Sequence, residues 1–236
     1  MFSIADNLKN VSQSIKKASK QAGWDLAEVQ LLPVTKTQSA EVLAQAFAAG
    51  LRCFGENYLS EALEKQQSLL HILGSQDYQR ITWHFIGPVQ SNKTKAIAEH
   101  FSWLHSLDRI KIARRLDAQR PKGLPPLNVC IQVNIDAEET KAGVMLDEVE
   151  AFAQALADFP HLKLRGLMCI PKALDDGSAA LESYQSMKDC FNRLAATYSS
   201  VDTLSMGMSG DLESAIQYGS TMVRVGTALF GKRPPK

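Results

Sequence analysis

The 236-residue chain is long enough for one large α/β domain whose core needs no disulfide or metal to hold it. Its 26 basic and 25 acidic residues leave a net charge of +1, which argues against the basic footprint of a nucleic-acid binder. The four cysteines (Cys53, Cys130, Cys169, Cys190) lack metal-ligand spacing and are expected to be buried reduced thiols, and no signal-peptide pattern opens the chain. No apolar run approaches the roughly 18 residues of a membrane span, so a cytoplasmic protein with no membrane or nucleic-acid partner is expected.

In chain order, the pattern opens with a helix over Ser3–Gln21, followed by the short apolar run Val29–Val34. Ser39 can cap a helix through Ala49, with Val42, Leu43, Ala46 and Phe47 at helical spacing. Cys53–Gly55 then predicts a second strand and Tyr58–Leu70 a helix. Further strands are predicted at Trp83–Ile86, Trp103–Ser106, Asn128–Val133, Leu164–Met168, Thr203–Ser205 and Met222–Val225. Helical patterns separate them at Lys93–His100, Asp108–Gln119, Leu146–Asp158, Ala179–Thr197 and Asp211–Gln217. Strands that alternate with helices pair in parallel, because each helical crossover returns the chain in the same direction. Eight such units predict a single α/β (β/α)8 TIM barrel with an extra N-terminal helix, spanning residues 1–231, and a disordered tail at 232–236. A Gly-rich G-x-G-x-x-G after the first strand is missing, which argues against an open dinucleotide-binding sheet.

Such barrels carry their functional groups just past the C-terminal ends of the strands. Lys36 follows the first strand, where partial desolvation would lower an ammonium's pKa and free the amine to attack an aldehyde. A lysine snorkelling at the surface is the alternative reading of that position. Glu56 and Asn57 follow strand two, Asn134 follows strand five, and His84 lies within strand three. After strands seven and eight come Met206-Gly207-Met208-Ser209-Gly210-Asp211 and Gly226-Thr227, where small residues and hydroxyls suit a phosphate. The same glycines could instead serve tight turns, and Asp211 suits a helix's first turn better than an anion. A lysine and a phosphate cup in one mouth fit either an aldolase of phosphorylated sugars or a pyridoxal 5′-phosphate site. Arg224, two residues before the second cup, favours the cofactor, because its guanidinium could meet the edge of a pyridine ring.

The segments LLPVTKT (31–37), FGENY (54–58), WHFIGPVQSNK (83–93), QVNI (132–135), TKAGV (140–144), RGLMCIP (165–171), SMGMSGDLESAI (205–216) and GSTMVRVGTALFG (219–231) resemble those of the pyridoxal phosphate homeostasis proteins. That family's barrel is similar to the N-terminal domain of alanine racemase. The resemblance implies that Lys36 forms the Schiff base with pyridoxal 5′-phosphate. It also implies that Ser209, Gly226 and Thr227 bind the phosphate, that Arg224 faces the pyridine nitrogen and that Asn57 lies beside the cofactor. His84 falls in the pocket wall or serves as a structural strand histidine, while Lys93 and Lys141 are expected at the surface. Two departures stand out: Gln38 replaces a frequent second lysine, and Pro33 replaces a typical alanine.

Enzymes that use this cofactor as an electron sink commonly protonate the pyridine nitrogen through a carboxylate, whereas arginine only donates hydrogen bonds. Alanine racemase works with such an arginine but takes a second base, a tyrosine, from another domain, for which no residues are expected after Gly231. A non-enzymatic, monomeric carrier or buffer of the cofactor is therefore expected, with no metal and with apo-enzymes as candidate recipients. A weak amino-acid racemase and a Schiff-base aldolase are the alternatives.

Overall fold

The computed structural model describes residues 3–23, 29–172 and 181–231. The predicted tail 232–236 lies outside the described residues, as do Ala179 and Ala180 at the start of one predicted helix. Eight parallel strands run β1 (Gln30–Pro33), β2 (Cys53–Glu56), β3 (Thr82–Phe85), β4 (Trp103–Leu107), β5 (Leu127–Val133), β6 (Leu162–Cys169), β7 (Thr203–Ser205) and β8 (Met222–Val225). Their order, β1-β8-β7-β6-β5-β4-β3-β2, is that of a barrel, and the single bridge Val34↔Gly55 joins the two ends. The expected TIM barrel is therefore the fold.

Pro33 sits where it costs least. The N–H groups of Gln30 and Val34 donate toward the β8 side, to Thr221 and Val225, whereas that of Thr35 donates across the seam to Gly55. Strand alternation puts the missing donor of Pro33 on the seam side, where pairing between β1 and β2 is already thinnest.

The helices are α1 (Ile4–Ala22), α2 (Ala40–Ala48), α3 (Leu59–Tyr78), α4 (Thr94–His100), α5 (Ile110–Gln119), α6 (Val149–Leu156, after a 3₁₀ turn at Leu146–Glu148), α7 (Leu181–Thr197), α8 (Leu212–Gln217) and α9 (Thr227–Phe230). Ser3 and Ser39 cap α1 and α2 by accepting the N–H groups of Asp6 and Val42. Helix α3 runs past the expected end at Leu70 because Gly74, at φ 75°, kinks the chain and lets a second helical segment follow. α9 is too short for its apolar period to show in the sequence. Helix α1 packs on α8 and α9, and its Asn7 amide donates to the Leu229 carbonyl at 2.9 Å.

Strand parity divides the core in two. Trp83, Phe85, Val129, Ile131, Leu167, Val223 and Val225 face the helices in the main hydrophobic cluster. Trp103, Cys130 and Met168 form a separate cluster, and their alternate positions on the strands turn them into the barrel interior. All four cysteines are free, with Cys130, Cys169 and Cys190 buried. Burial pushes the Cys130 and Cys169 thiols up to about 12, which keeps them unreactive. Among the described residues no helix is long and apolar enough to cross a membrane, and no cluster of metal-ligating side chains occurs.

Candidate functional site

A cavity of about 250 Å³ opens at the C-terminal mouth of the barrel. Its wall includes Lys36, Asn57, Ser209, Arg224, Gly226 and Thr227, together with Val34, Gln38, Ile86, Met168, Ile170, Met208, Gly210 and Gly231. The structure thus brings every expected cofactor residue to one wall. Sequence reading had missed the apolar part of that wall, which hydropathy alone cannot separate from ordinary core.

Lys36 is half-buried at the second position of a tight turn that the Gln38 N–H closes onto the Thr35 carbonyl at 3.0 Å. On the opposite wall, Gly207 takes φ 89°, and a Cβ there would lie 2.4 Å from that of Ala215. This glycine turns the chain out of β7 toward α8. Asp211 does not reach toward a phosphate. Its carboxylate accepts the Met208 N–H and the Tyr184 hydroxyl, shaping the loop that carries Ser209. Ser209 Oγ in turn accepts the Ala228 N–H at 3.5 Å, tying the loop after β7 to the start of α9 beside Thr227.

Arg224 is buried in the floor. Its Nη1 donates to the Ser205 carbonyl (2.6 Å) and hydroxyl (2.9 Å), and its Nη2 to the Cys169 carbonyl (2.8 Å). Burial lowers the guanidinium's pKa, but a group starting at 12.5 keeps its proton at neutral pH. Behind Ser205 the polar chain continues: Ser205 Oγ lies 3.0 Å from His105 Nδ1, and His105 Nε2 lies 3.0 Å from His84 Nδ1. His84 stacks on Trp103 with centroids 5.2 Å apart. Desolvation drives His84 down to about 3, while desolvation, His84 and Arg224 together hold His105 well below the ordinary imidazole value. Both rings are therefore neutral, and the chain can fix the rotamer of Arg224 without adding charge.

His84 corrects an expectation, because it is not among the residues lining the cavity. It points inward, as its parity implies, but the cavity wall begins with Ile86, two residues closer to the mouth. Asn134 is likewise absent from the wall; its side chain binds the backbone of Glu138 and Lys141. Lys141 is exposed and pairs with Glu138 at 2.6 Å, and Lys93 precedes α4 as its N-cap.

An assembly not foreseen from the sequence lies behind Lys36. Glu56, the last residue of β2, is fully buried, and its Oε1 accepts Lys65 Nζ and Thr35 Oγ1, both at 2.6 Å. Lys65 also reaches Glu61 Oε1 at 2.7 Å and the Thr35 carbonyl at 2.7 Å. Burial raises the Glu56 carboxyl, against which the neighbouring ammonium acts.

Fold and mouth together define a barrel of the alanine racemase type, and the family model described as "Alanine racemase, N-terminal domain" matches residues 5–234. The "Pyridoxal phosphate homeostasis protein" of Pseudomonas aeruginosa is 50% identical over 233 residues, which cover 99% of this chain and 97% of the relative. The protein of the same name in Escherichia coli K12 is 47% identical over 235 residues, covering 99% and 98% of the two chains. Among solved structures, PipY of Synechococcus elongatus with PLP bound superposes with a TM-score of 0.77 at 33% identity, covering 97% of this chain and 100% of that one. The chain belongs to the pyridoxal phosphate homeostasis protein family.

Proposed function

We propose that this protein binds pyridoxal 5′-phosphate in the mouth cavity and holds it as a carrier or buffer, without vigorous catalysis. The observation that carries this reading is the convergence on one small wall of an amine (Lys36), a buried guanidinium (Arg224) and two hydroxyls (Ser209, Thr227) from separate segments. The relatives' name and the PLP-bound PipY structure support the same cofactor. The donor set fits it: two cations and hydroxyl donors suit a dianionic phosphate ester, and Asn57 Oδ1 is a buried acceptor without a partner. When bound, the cofactor supplies an aldehyde that an amine can hold and a ring that withdraws electrons once its nitrogen is protonated.

In this reading Lys36 holds the aldehyde, while Ser209, Thr227 and the backbone at Gly226 hold the phosphate. Arg224 holds the ring nitrogen's edge. A guanidinium already committed to Ser205 and Cys169 offers hydrogen bonds and no negative charge, so it disfavours a protonated nitrogen. No carboxylate or histidine stands among the described residues that line the cavity, which leaves Lys36 as the side chain there suited to take a proton. A holder needs no second base.

The test is incubation of the loaded protein with amino acids in heavy water, alongside reactivation of an apo-enzyme in the presence of a scavenger of free aldehyde. Slow α-proton exchange with reactivation supports the holder. Exchange in the ordinary enzyme range of roughly 1–10³ per second would refute it.

A further inference from the structure

We propose that Glu61 and Lys65, on the first turns of α3, are positioning residues that fix the backbone of Lys36 so that its amine faces the cavity. The inference rests on the assignment of Lys36 as the aldehyde-holding residue. Each of the two peptide groups that flank the Lys36 Cα is gripped by one of these side chains. Lys65 Nζ donates to the Thr35 carbonyl at 2.7 Å, and Glu61 Oε1 accepts the Thr37 N–H at 2.6 Å. The two grips are themselves joined, since Lys65 Nζ lies 2.7 Å from Glu61 Oε1 and is anchored on buried Glu56 at 2.6 Å.

The reason for a grip lies at Thr37. Its φ of 67° puts a β-branched residue in the left-handed region, at the third position of a turn where glycine is ordinarily preferred. A free Thr35–Gln38 turn would relax out of that conformation and rotate Lys36 with it. The Glu61 carboxylate on the Thr37 N–H, backed by Lys65, offsets the strain, and the side chain of Thr37 itself remains exposed, so no packing of its own does so. Neither Glu61 nor Lys65 lines the cavity, so the effect acts through the backbone alone.

Capture of the aldehyde joins the unprotonated Lys36 Nζ to the aldehyde carbon and expels the aldehyde oxygen as water with both amine protons. Its rate depends on how often the amine faces the cavity. Binding of a cofactor analogue that has an alcohol in place of the aldehyde does not.

The experiment compares the unmodified protein with Glu61→Ala, Glu61→Gln, Thr37→Gly and the double variant Glu61→Ala/Thr37→Gly. Rates of capture are followed by visible absorbance, and affinity for pyridoxine 5′-phosphate is measured separately. Glu61→Ala is expected to slow capture about tenfold, the scale set by one strained left-handed residue, with analogue affinity within twofold. Glu61→Gln, which keeps an acceptor oxygen, should lose much less. Glycine adopts the left-handed turn without help, so the double variant should capture at close to the Thr37→Gly rate. Capture by Glu61→Ala at the unmodified rate, failure of the glycine to rescue it, or an equal loss of analogue affinity would each overturn the inference. Borohydride reduction of the unmodified protein tests the underlying reading separately: an adduct on a lysine other than Lys36 sinks that assignment whatever the variants do.

Discussion

Lys65→Met gives a quantitative check on the buried assembly behind the site. In the folded protein Lys65 and Glu56 side chains are 6% and 0% exposed and lie 2.6 Å apart. Removing the ammonium leaves a fully buried carboxylate with the Thr35 hydroxyl as its remaining donor. Truncating one partner of a buried pair costs about 3–5 kcal/mol, because the other charge is left uncompensated. Replacing both, as Lys65→Met/Glu56→Met, removes that charge and should regain most of the loss, a coupling of about 2 kcal/mol or more between the sites.

The sign with pH follows from Glu56. Burial already raises its pKa above 4.5, and loss of Lys65 removes the main opposing influence. Between pH 4.5 and the raised folded value, the native state binds a proton that the unfolded chain does not, so stability falls as pH rises through that window. The deficit of Lys65→Met relative to the unmodified protein should therefore be largest at neutral pH and shrink toward pH 4.5. Urea unfolding at a series of pH values measures it. A deficit below about 1 kcal/mol that does not change with pH would contradict the buried-pair reasoning.

Ser209→Ala and Thr227→Ala should each weaken cofactor affinity by about 1.5–3 kcal/mol, the range for a hydrogen bond to a charged group. Fluorescence titration checks this, and unchanged affinity in both would move the phosphate elsewhere. Acid should destabilise the fold through His84 and His105, whose folded pKa values lie below the unfolded 6.5. Below pH 6.5 the unfolded chain binds protons that the native state refuses, so stability drops with falling pH by up to about 1.4 kcal/mol per pH unit per histidine. Chemical unfolding at pH 7 and 5 should show a smaller drop in His84→Gln than in the unmodified protein; equal drops would mean that His84 titrates normally in the native state.

The eight strands were legible because each is a short apolar run between helical periods, and boundaries moved by a residue or two at most of their ends. Lys36, Asn57, Ser209, Arg224, Gly226 and Thr227 were legible because a parallel barrel places whatever follows a strand at its mouth. Depth along a strand was not legible. His84 and Ile86 share a parity, and only the height of the floor, set by Trp103, His105 and Arg224, decides which of them meets the cavity. Lys65 carried no signal at all. Within LSEALEKQQ it reads as one of many solvated helix lysines, and its burial follows from the docking of α3 against the β1–β2 seam.

The central claim is that Lys36 holds the aldehyde. It is tested most directly by reducing the loaded protein with borohydride and mapping the modified peptide by mass spectrometry, in the unmodified protein and in Lys36→Ala. The account predicts a single adduct on Lys36 and its loss, together with the visible absorbance, in a Lys36→Ala protein that still folds. A stoichiometric adduct on another lysine, or undiminished labelling of Lys36→Ala, would contradict it.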